Sequence, residues 1–313
     1  MGTTGSNTNE NANKQEGNKE APKTSNGAKN GGTPHRLDVA LTKADSIAEG
    51  SMQHAPPPSK ASKVLEMFPV SQKAREVGSA LGGFKYSPQI DETFKDLPHL
   101  GPYKYDDGEG NVRTYIGQYK EGIRFGKGRV VWSDGRMYEG YFENDYYSIR
   151  GRFIFADGGW YEGEYKDGKK DGTGTYTYAD GRVYIGEYVN DKKQGKGEYK
   201  WALGDVYKGD LFDDNMHGRG FYVWKDGKTY EGEHKNGKKE GKGELRWPNG
   251  KKYIGEFKND NMNGYGEMHL PNKSIYRGGF IDGVENGRAV YTFADGKESK
   301  CIWKDGEVLE AFD

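Results

Sequence analysis

A tyrosine returns every 23 residues through the C-terminal two-thirds of the chain, and this period constrains the fold more than any other feature. Tyr115, Tyr138, Tyr161, Tyr184, Tyr207, Tyr230, Tyr253 and Tyr276 open eight units. With that Tyr as unit position 1, a Gly occupies position 3 in every unit (Gly117 through Gly278). Position 5 is large: Tyr119, Phe142, Tyr165, Tyr188, Leu211, His234, Phe257 and Phe280. A Gly-x-Gly pair follows in most units, as in Gly172/Gly174 and Gly195/Gly197. Position 18 is usually aromatic, as in Trp132, Tyr178 and Trp224, and an Asp-Gly or Asn-Gly pair comes next. Self-similarity at a fixed period marks an architecture in which each unit is one small supersecondary element that buries its apolar face only against its neighbours.

The unit itself reads as a hairpin. In Tyr-x-Gly-x-aromatic the two rings and the Gly fall on one face of a strand, because side chains alternate with period two. The Gly leaves room on that face for a ring from a neighbouring strand. Asp-Gly and Asn-Gly accommodate φ > 0 at low cost and predict tight hairpin connections, as at Asp134-Gly135, Asp180-Gly181 and Asn249-Gly250. The Gly-rich stretch at positions 8–14 turns the chain the other way. One hairpin is marginal in water, so stability has to be shared along the stack. Sixteen such strands at about 4.8 Å each make a ribbon roughly 75 Å long.

Composition supports this reading and excludes others. Gly (49) and Tyr (23) are both in excess, which together suit ordered β-structure with many tight turns, whereas Gly alone would suit a linker. A net charge of −1 provides no global field for nucleic acid. The single Cys, Cys301, rules out an internal disulfide and fits a reducing, cytoplasmic compartment. No apolar run approaches the roughly 20 residues that span a bilayer, and no signal-peptide core opens the chain.

The pattern Tyr-x-Gly-x-aromatic-x-x-Gly-x-x-x-Gly-x-Gly over residues 115–298 resembles the MORN (membrane occupation and recognition nexus) repeat. The resemblance implies an all-β fold: an elongated, single-layer, twisted antiparallel sheet of stacked hairpins. The chain resembles radial spoke head and other axonemal MORN proteins, and this implies a non-enzymatic scaffold that binds protein partners in the cytoskeleton or a cilium. Junctophilins, also MORN proteins, offer a membrane-associated parallel. Family members with activity carry a separate catalytic domain, and no segment here looks like one. Residues 299–313 read as a partial ninth unit and cap, with Ser299 and Cys301 in place of Tyr and Gly. Asp145 and Ile149 replace Gly in the second unit.

Ahead of the array, residues 1–60 are too polar to offset their ordering entropy and read as a disordered tail. Within 61–83, Val70, Ala74, Val77 and Leu81 share one face of a helix, with Pro69 in its first turn and Gly82-Gly83 at its end. Residues 84–114 lead into the repeats as a partial cap.

Catalytic and metal chemistry find no constellation. His217, His234 and His269 fall at unit positions 11, 5 and 17 and so belong to different places in the unit. None has metal-ligand spacing, and His234 takes an aromatic packing slot. Glu139, Glu162 and Glu231 share position 2, which describes a solvated strand face rather than an acid–base pair. Gly-x-Gly lacks the third Gly, the following helix and the Lys-Ser/Thr of a phosphate loop. No cofactor is implied.

Two surfaces remain as docking sites. The ring rows, with Tyr161, Tyr165, Tyr184, Tyr188, Tyr207, Tyr230, Tyr253 and Phe257, would form an aromatic docking face if one side of the sheet lies open. The lysines at positions 9, 10 and 13 (Lys127, Lys169, Lys170, Lys192, Lys193, Lys196, Lys238, Lys239 and Lys242) would line a basic edge. Such an edge protects against aggregation. It also attracts anionic phospholipids, at about 1 kcal/mol per basic residue near a membrane. Met1-Gly2-Thr3-Thr4-Gly5-Ser6 matches an N-myristoylation acceptor pattern at Gly2. One acyl chain holds a protein only marginally, so the basic edge would have to add to it in a peripheral membrane protein. The exposed ends of an open ribbon also suit a homodimer.

Overall fold

The computed structural model describes residues 71–106 and 112–312. The polar tail 1–60, Gly2, Pro69 and Val70 lie outside the described residues. Among the described residues nineteen strands form one antiparallel sheet, from β1 (His99–Asp106) to β19 (Glu307–Phe312). The strands pair in chain order, each with the one before and the one after.

The register shows why the period is strict. In the third unit, β6 (Trp160–Lys166) and β7 (Lys169–Thr177) pair Tyr161 with Tyr176 and Gly163 with Gly174, and a bulge separates Gly163 from Tyr165. Gly174 then faces Gly186 of the next unit. Glycine therefore opposes glycine from strand to strand as far as Gly278, which faces Ala289, and the position-1 rings from Tyr115 to Tyr253 each lie over one such glycine pair. A Cβ on Gly163 would sit 2.3 Å from Tyr161 Oη and 2.5 Å from Gly174 Cα, a space no other residue fits. Tyr161 Oη reaches past the pair and donates to the Glu164 carbonyl at 3.0 Å. Tyr115, Tyr138, Tyr184, Tyr207, Tyr230, Tyr253 and Tyr276 make the same bond to the carbonyl three residues on.

The two ends of the hairpin differ from expectation. The two-residue tight turn lies at positions 7 and 8, where Asp167 (φ 50°) and Gly168 (φ 83°) both take the left-handed conformation of a type I′ turn. The Asp-Gly near position 20 instead sits in a wider loop over residues 178–182. That loop is closed by Tyr178 N–H to Arg182 O and Gly181 N–H to Tyr178 O, with the Asp180 carboxylate accepting from Arg182 N–H.

The side of the sheet bearing positions 1, 5, 16 and 18 is the core. Its rings pack edge to face along the whole ribbon: Tyr161 meets Tyr165 and Tyr188 at 5.3 Å, and Tyr253 meets Phe257 at 5.2 Å and Phe280 at 4.9 Å. Such pairs add about 0.5–1.5 kcal/mol each beyond burial. Trp303, at position 5 of the partial ninth unit, closes the row against Tyr276 at 5.3 Å. Ser299 supplies no ring there, and the buried Cys301 thiol lies against it in the space left.

Among the described residues, the opposite, outer side is covered over the first units. Helix α1 (Gln72–Leu81) starts at Ser71, whose hydroxyl accepts from Ala74 N–H. Its Ala74 and Val77 pack on Val131, Met137 and Ile154. The chain then runs through α2 (Pro88–Asp91) and a 3-10 turn, Glu92–Phe94, burying Phe84 and Phe94 with Tyr141. This strap, residues 71–97, lies across β2 (Val112–Lys120), β3 (Ile123–Trp132), β4 (Met137–Glu143) and β5 (Tyr146–Ile154).

Candidate functional site

The eight aromatic residues expected on an open docking face are interior. Tyr161, Tyr165, Tyr184, Tyr188, Tyr207, Tyr230, Tyr253 and Phe257 are between 0% and 7% exposed. The reason is the glycine row: with no Cβ beneath them the rings drop onto the backbone, and the position-5 rings of the same and the next unit seal their edges. Burial pushes the phenols of Tyr161, Tyr184, Tyr207, Tyr230 and Tyr253 well above their usual range. These rings hold the ribbon together and are not available to a partner.

The basic edge divides in two. The position-10 lysines turn inward: Lys170 and Lys239 are buried and Lys193 has a 12% exposed side chain. Lys170 lies over Tyr161, Tyr176 and Tyr188, and Lys239 over Trp224 and Tyr230. Burial lowers the Lys239 ammonium, partly offset by Asp260. The remaining six stay toward solvent. Lys192 pairs with Asp213, Lys196 with Asp210, and Lys127 with Asp91 of the strap at 3.0 Å. Lys169, Lys238 and Lys242 have no carboxylate partner among the described residues.

The acids at position 4 are also committed. Glu164, Glu187, Asp210, Glu233 and Glu256 press against the left-handed Gly at position 12, and the first four accept the backbone N–H at position 13, as Glu187 does from Lys196 at 2.9 Å. The first two units break this rule, and there the strap docks. Gln118 replaces the acid and donates to Phe94 O at 2.7 Å. Tyr141 replaces it in the second unit: its hydroxyl accepts from Ser87 N–H at 2.8 Å and donates to Asp91 at 2.7 Å, and burial with that carboxylate pushes its pKa up to about 12. Ile149 stands where Gly is usual, at φ 60°, an outlier for a β-branched residue, and packs with the strap cluster. Arg152 donates to Gly82 O at 2.7 Å and pairs with Glu162 at 2.8 Å. The departure at Ile149 was the available signal for this docking site, visible in the sequence only as a weakened repeat; Gln118 and Tyr141 carry none of their own.

Beyond β5 the outer side carries exposed apolar residues, among them Ile185, Phe221 and Ile254. Among the described residues no group of three or more His, Cys, Asp or Glu could hold a metal, and no helix is long and apolar enough to cross a membrane.

The MORN repeat model matches residues 115–135, 161–181, 184–206, 207–229, 230–252, 253–275 and 276–298. The unit it passes over, which opens at Tyr138, is the one reshaped by Tyr141 and Ile149. No curated protein sequence matches the chain. Among solved structures, the chain is similar to the TCP10 domain of Danio rerio CPAP, at 13% identity, covering 67% of this chain and 99% of that one with a TM-score of 0.36. It is also similar to the Drosophila melanogaster SAS-4 TCP domain in complex with a proline-rich motif of Ana2, at 16% identity, covering 46% and 85% with a TM-score of 0.27. These superpositions are loose, and neither fold nor function follows from them. The repeats themselves decide the family: matched over half its length and folded throughout residues 115–298 into the hairpins described above, the chain belongs to the MORN-repeat family.

Proposed function

We propose that this MORN-repeat protein is a non-enzymatic scaffold that binds other proteins on the outer side of its sheet, in a cytoskeletal or ciliary (axonemal) assembly of the cytoplasm. One observation carries the reading. The outer side already holds a polypeptide segment, the strap, through hydrogen bonds from Tyr141 and Gln118 and through apolar contacts at Val131, Met137 and Ile154, while among the described residues nothing covers the same side beyond β5. The inner side is filled by its own rings.

The test uses the full chain immobilised beside a variant with Ile185, Phe221 and Ile254 changed to Ser. Partners retained by the first and lost by the second support the scaffold; identical retention removes it. A second reading, peripheral attachment to anionic phospholipids, rests on Lys169, Lys238 and Lys242, which have no carboxylate partner among the described residues, with a myristoyl group on Gly2. Sedimentation with phosphatidylserine vesicles separates the two. Binding lost when these three lysines become Glu supports the membrane reading. Elution of the full chain as a monomer by light scattering counts against a homodimer.

A further inference from the structure

One residue from each strand between β2 and the strand Glu298–Lys304 lines up across the outer side, drawn from unit positions 2 and 15. Facing charges in this row are complementary almost everywhere: Arg129 opposes Glu139, Arg152 opposes both Glu139 and Glu162, Glu198 opposes Lys208, and Glu267 opposes Arg277. The exception is Glu231 on β12 (Thr229–Lys235) and Glu244 on β13 (Lys238–Arg246), which are directly opposed partners. Like charges facing one another across a strand pair destabilise it. Glu244 shares its carboxylate with Arg246 of its own strand. Glu231 is exposed and has no cationic partner among the described residues. Immediately outside the pair stand Phe221 on β11 (Asn215–Val223) and Ile254 on β14 (Lys252–Lys258), at 39% and 41% exposure. Four adjacent strands thus present apolar, acidic, acidic, apolar in one line.

Resting on the scaffold reading above, we propose that Phe221, Glu231, Glu244 and Ile254 form a docking site for an extended partner segment with one Arg or Lys between two apolar residues, in the spacing apolar-x-basic-x-apolar. Charge complementarity sets the centre: a cation between the two carboxylates removes the repulsion that the bare sheet carries. Spacing sets the conformation. Strands lie about 4.8 Å apart, so the midpoint of the Glu pair is about 7 Å from Phe221 and from Ile254; alternate residues of an extended chain are about 6.7 Å apart. A helix would bring its i and i+4 side chains closer, at about 6 Å, and would direct its intervening residues away from the row.

The experiment is fluorescence anisotropy on the full chain with a labelled peptide Ser-Leu-Thr-Arg-Thr-Phe-Ser. Three comparisons accompany it: Arg changed to Glu, Arg moved one place toward the N-terminus, and the protein carrying Glu231→Gln with Glu244→Gln. The parent peptide is expected to bind, and each of the three changes to weaken binding about tenfold, a shift of about 1.4 kcal/mol. Glu198→Gln serves as the control and is expected to leave binding unchanged. Absence of binding by the parent peptide, equal binding of the Arg and Glu peptides, or no effect of the double substitution overturns the proposal. A second readout guards against a purely structural role. Without peptide, Glu231→Gln is expected to raise the thermal midpoint by relieving the facing charges; a fall makes the pair a structural one and also overturns it. If the peptide fails while the full chain still retains partners through Ile185, Phe221 and Ile254, this site falls and the scaffold stands; if no partner is retained either, the scaffold falls.

Discussion

Asp260 of one unit grips Lys239 of the unit before it: its Oδ1 accepts the Lys239 backbone N–H at 2.9 Å and lies 3.3 Å from the ammonium nitrogen. The relationship is a rule of the whole ribbon. Where position 10 is cationic (Arg124, Lys170, Lys193, Lys239), position 8 of the next unit is Asp (Asp145, Asp191, Asp214, Asp260). Where it is not (Tyr147, Met216, Met262, Glu285), position 8 is Gly (Gly168, Gly237, Gly283, Gly306). All eight position-8 residues have φ between 65° and 92°, which favours Gly; Asp is accepted where a buried cation needs a counter-charge.

Asp260→Gly is therefore expected to destabilise by about 3–5 kcal/mol, because it leaves the buried Lys239 uncompensated. Adding Lys239→Met recreates the Met216/Gly237 and Met262/Gly283 pairs and recovers most of the loss. Urea denaturation of the two variants and the double variant measures the coupling. Additive losses with no recovery contradict the rule.

The ring over the glycine pair gives two unequal effects. Tyr230→Phe removes only the hydrogen bond to Glu233 O and is expected to cost about 1 kcal/mol. Gly232→Ala places a Cβ 2.6 Å from Gly243 Cα and 2.5 Å from Tyr230 Oη, and backbone cannot yield as a side chain does. It is expected to cost more than about 3 kcal/mol, an overpacking loss at the top of the usual range. Denaturation midpoints in the reverse order contradict the packing described.

His234 occupies the slot taken by Phe257 and Phe280 in later units, and burial, aided by the Lys239 charge, holds its pKa down at about 4 against an ordinary 6.5. The unfolded chain thus binds a proton below pH 6.5 that the folded chain refuses. Stability is intact above that pH, falls as pH drops toward about 4, and levels off below it. The loss is on the order of 3 kcal/mol. His234→Phe is expected to flatten the profile in this window, measured as denaturation midpoints at several pH values.

Tyr141 and Ile149 fix the strap. Tyr141→Phe removes its bonds to Ser87 and Asp91 and is expected to speed amide exchange in residues 71–97 by about tenfold, for a loss of about 1.4 kcal/mol, while the strands of the array keep their protection. Uniform acceleration across the sheet contradicts a separately docked strap.

The period made the strands, the glycine row and the hairpins legible, because one steric fact, a ring lying on two glycines, recurs from the first unit to the seventh, and in the eighth only one of the two is replaced, by Ala289. Sidedness was not legible. A tyrosine at position 1 looks the same whether its ring is bare or covered, and only the neighbouring position-5 rings, reached through the register, decide it. The same holds for Lys170 and Lys192: both read as edge lysines, yet positions 9 and 10 point to opposite sides of the sheet, and only the inward one lies among rings. The strap escaped because its contacts are made by exceptions. Ile149 reads as decay of the repeat, and Gln118 and Tyr141 carry no signal of their own, until the segment they hold is placed on them.

The central prediction is that partners meet the outer side of the sheet. The most direct measurement places a photo-crosslinking amino acid in turn at Ile185, at Ile254 and, on the inner side, at Leu211 in the full-length protein in cells, and identifies the adducts by mass spectrometry. Protein adducts from Ile185 and Ile254, with none from Leu211, are predicted. Adducts from Leu211 alone, or no protein adduct from either outer position, would contradict it.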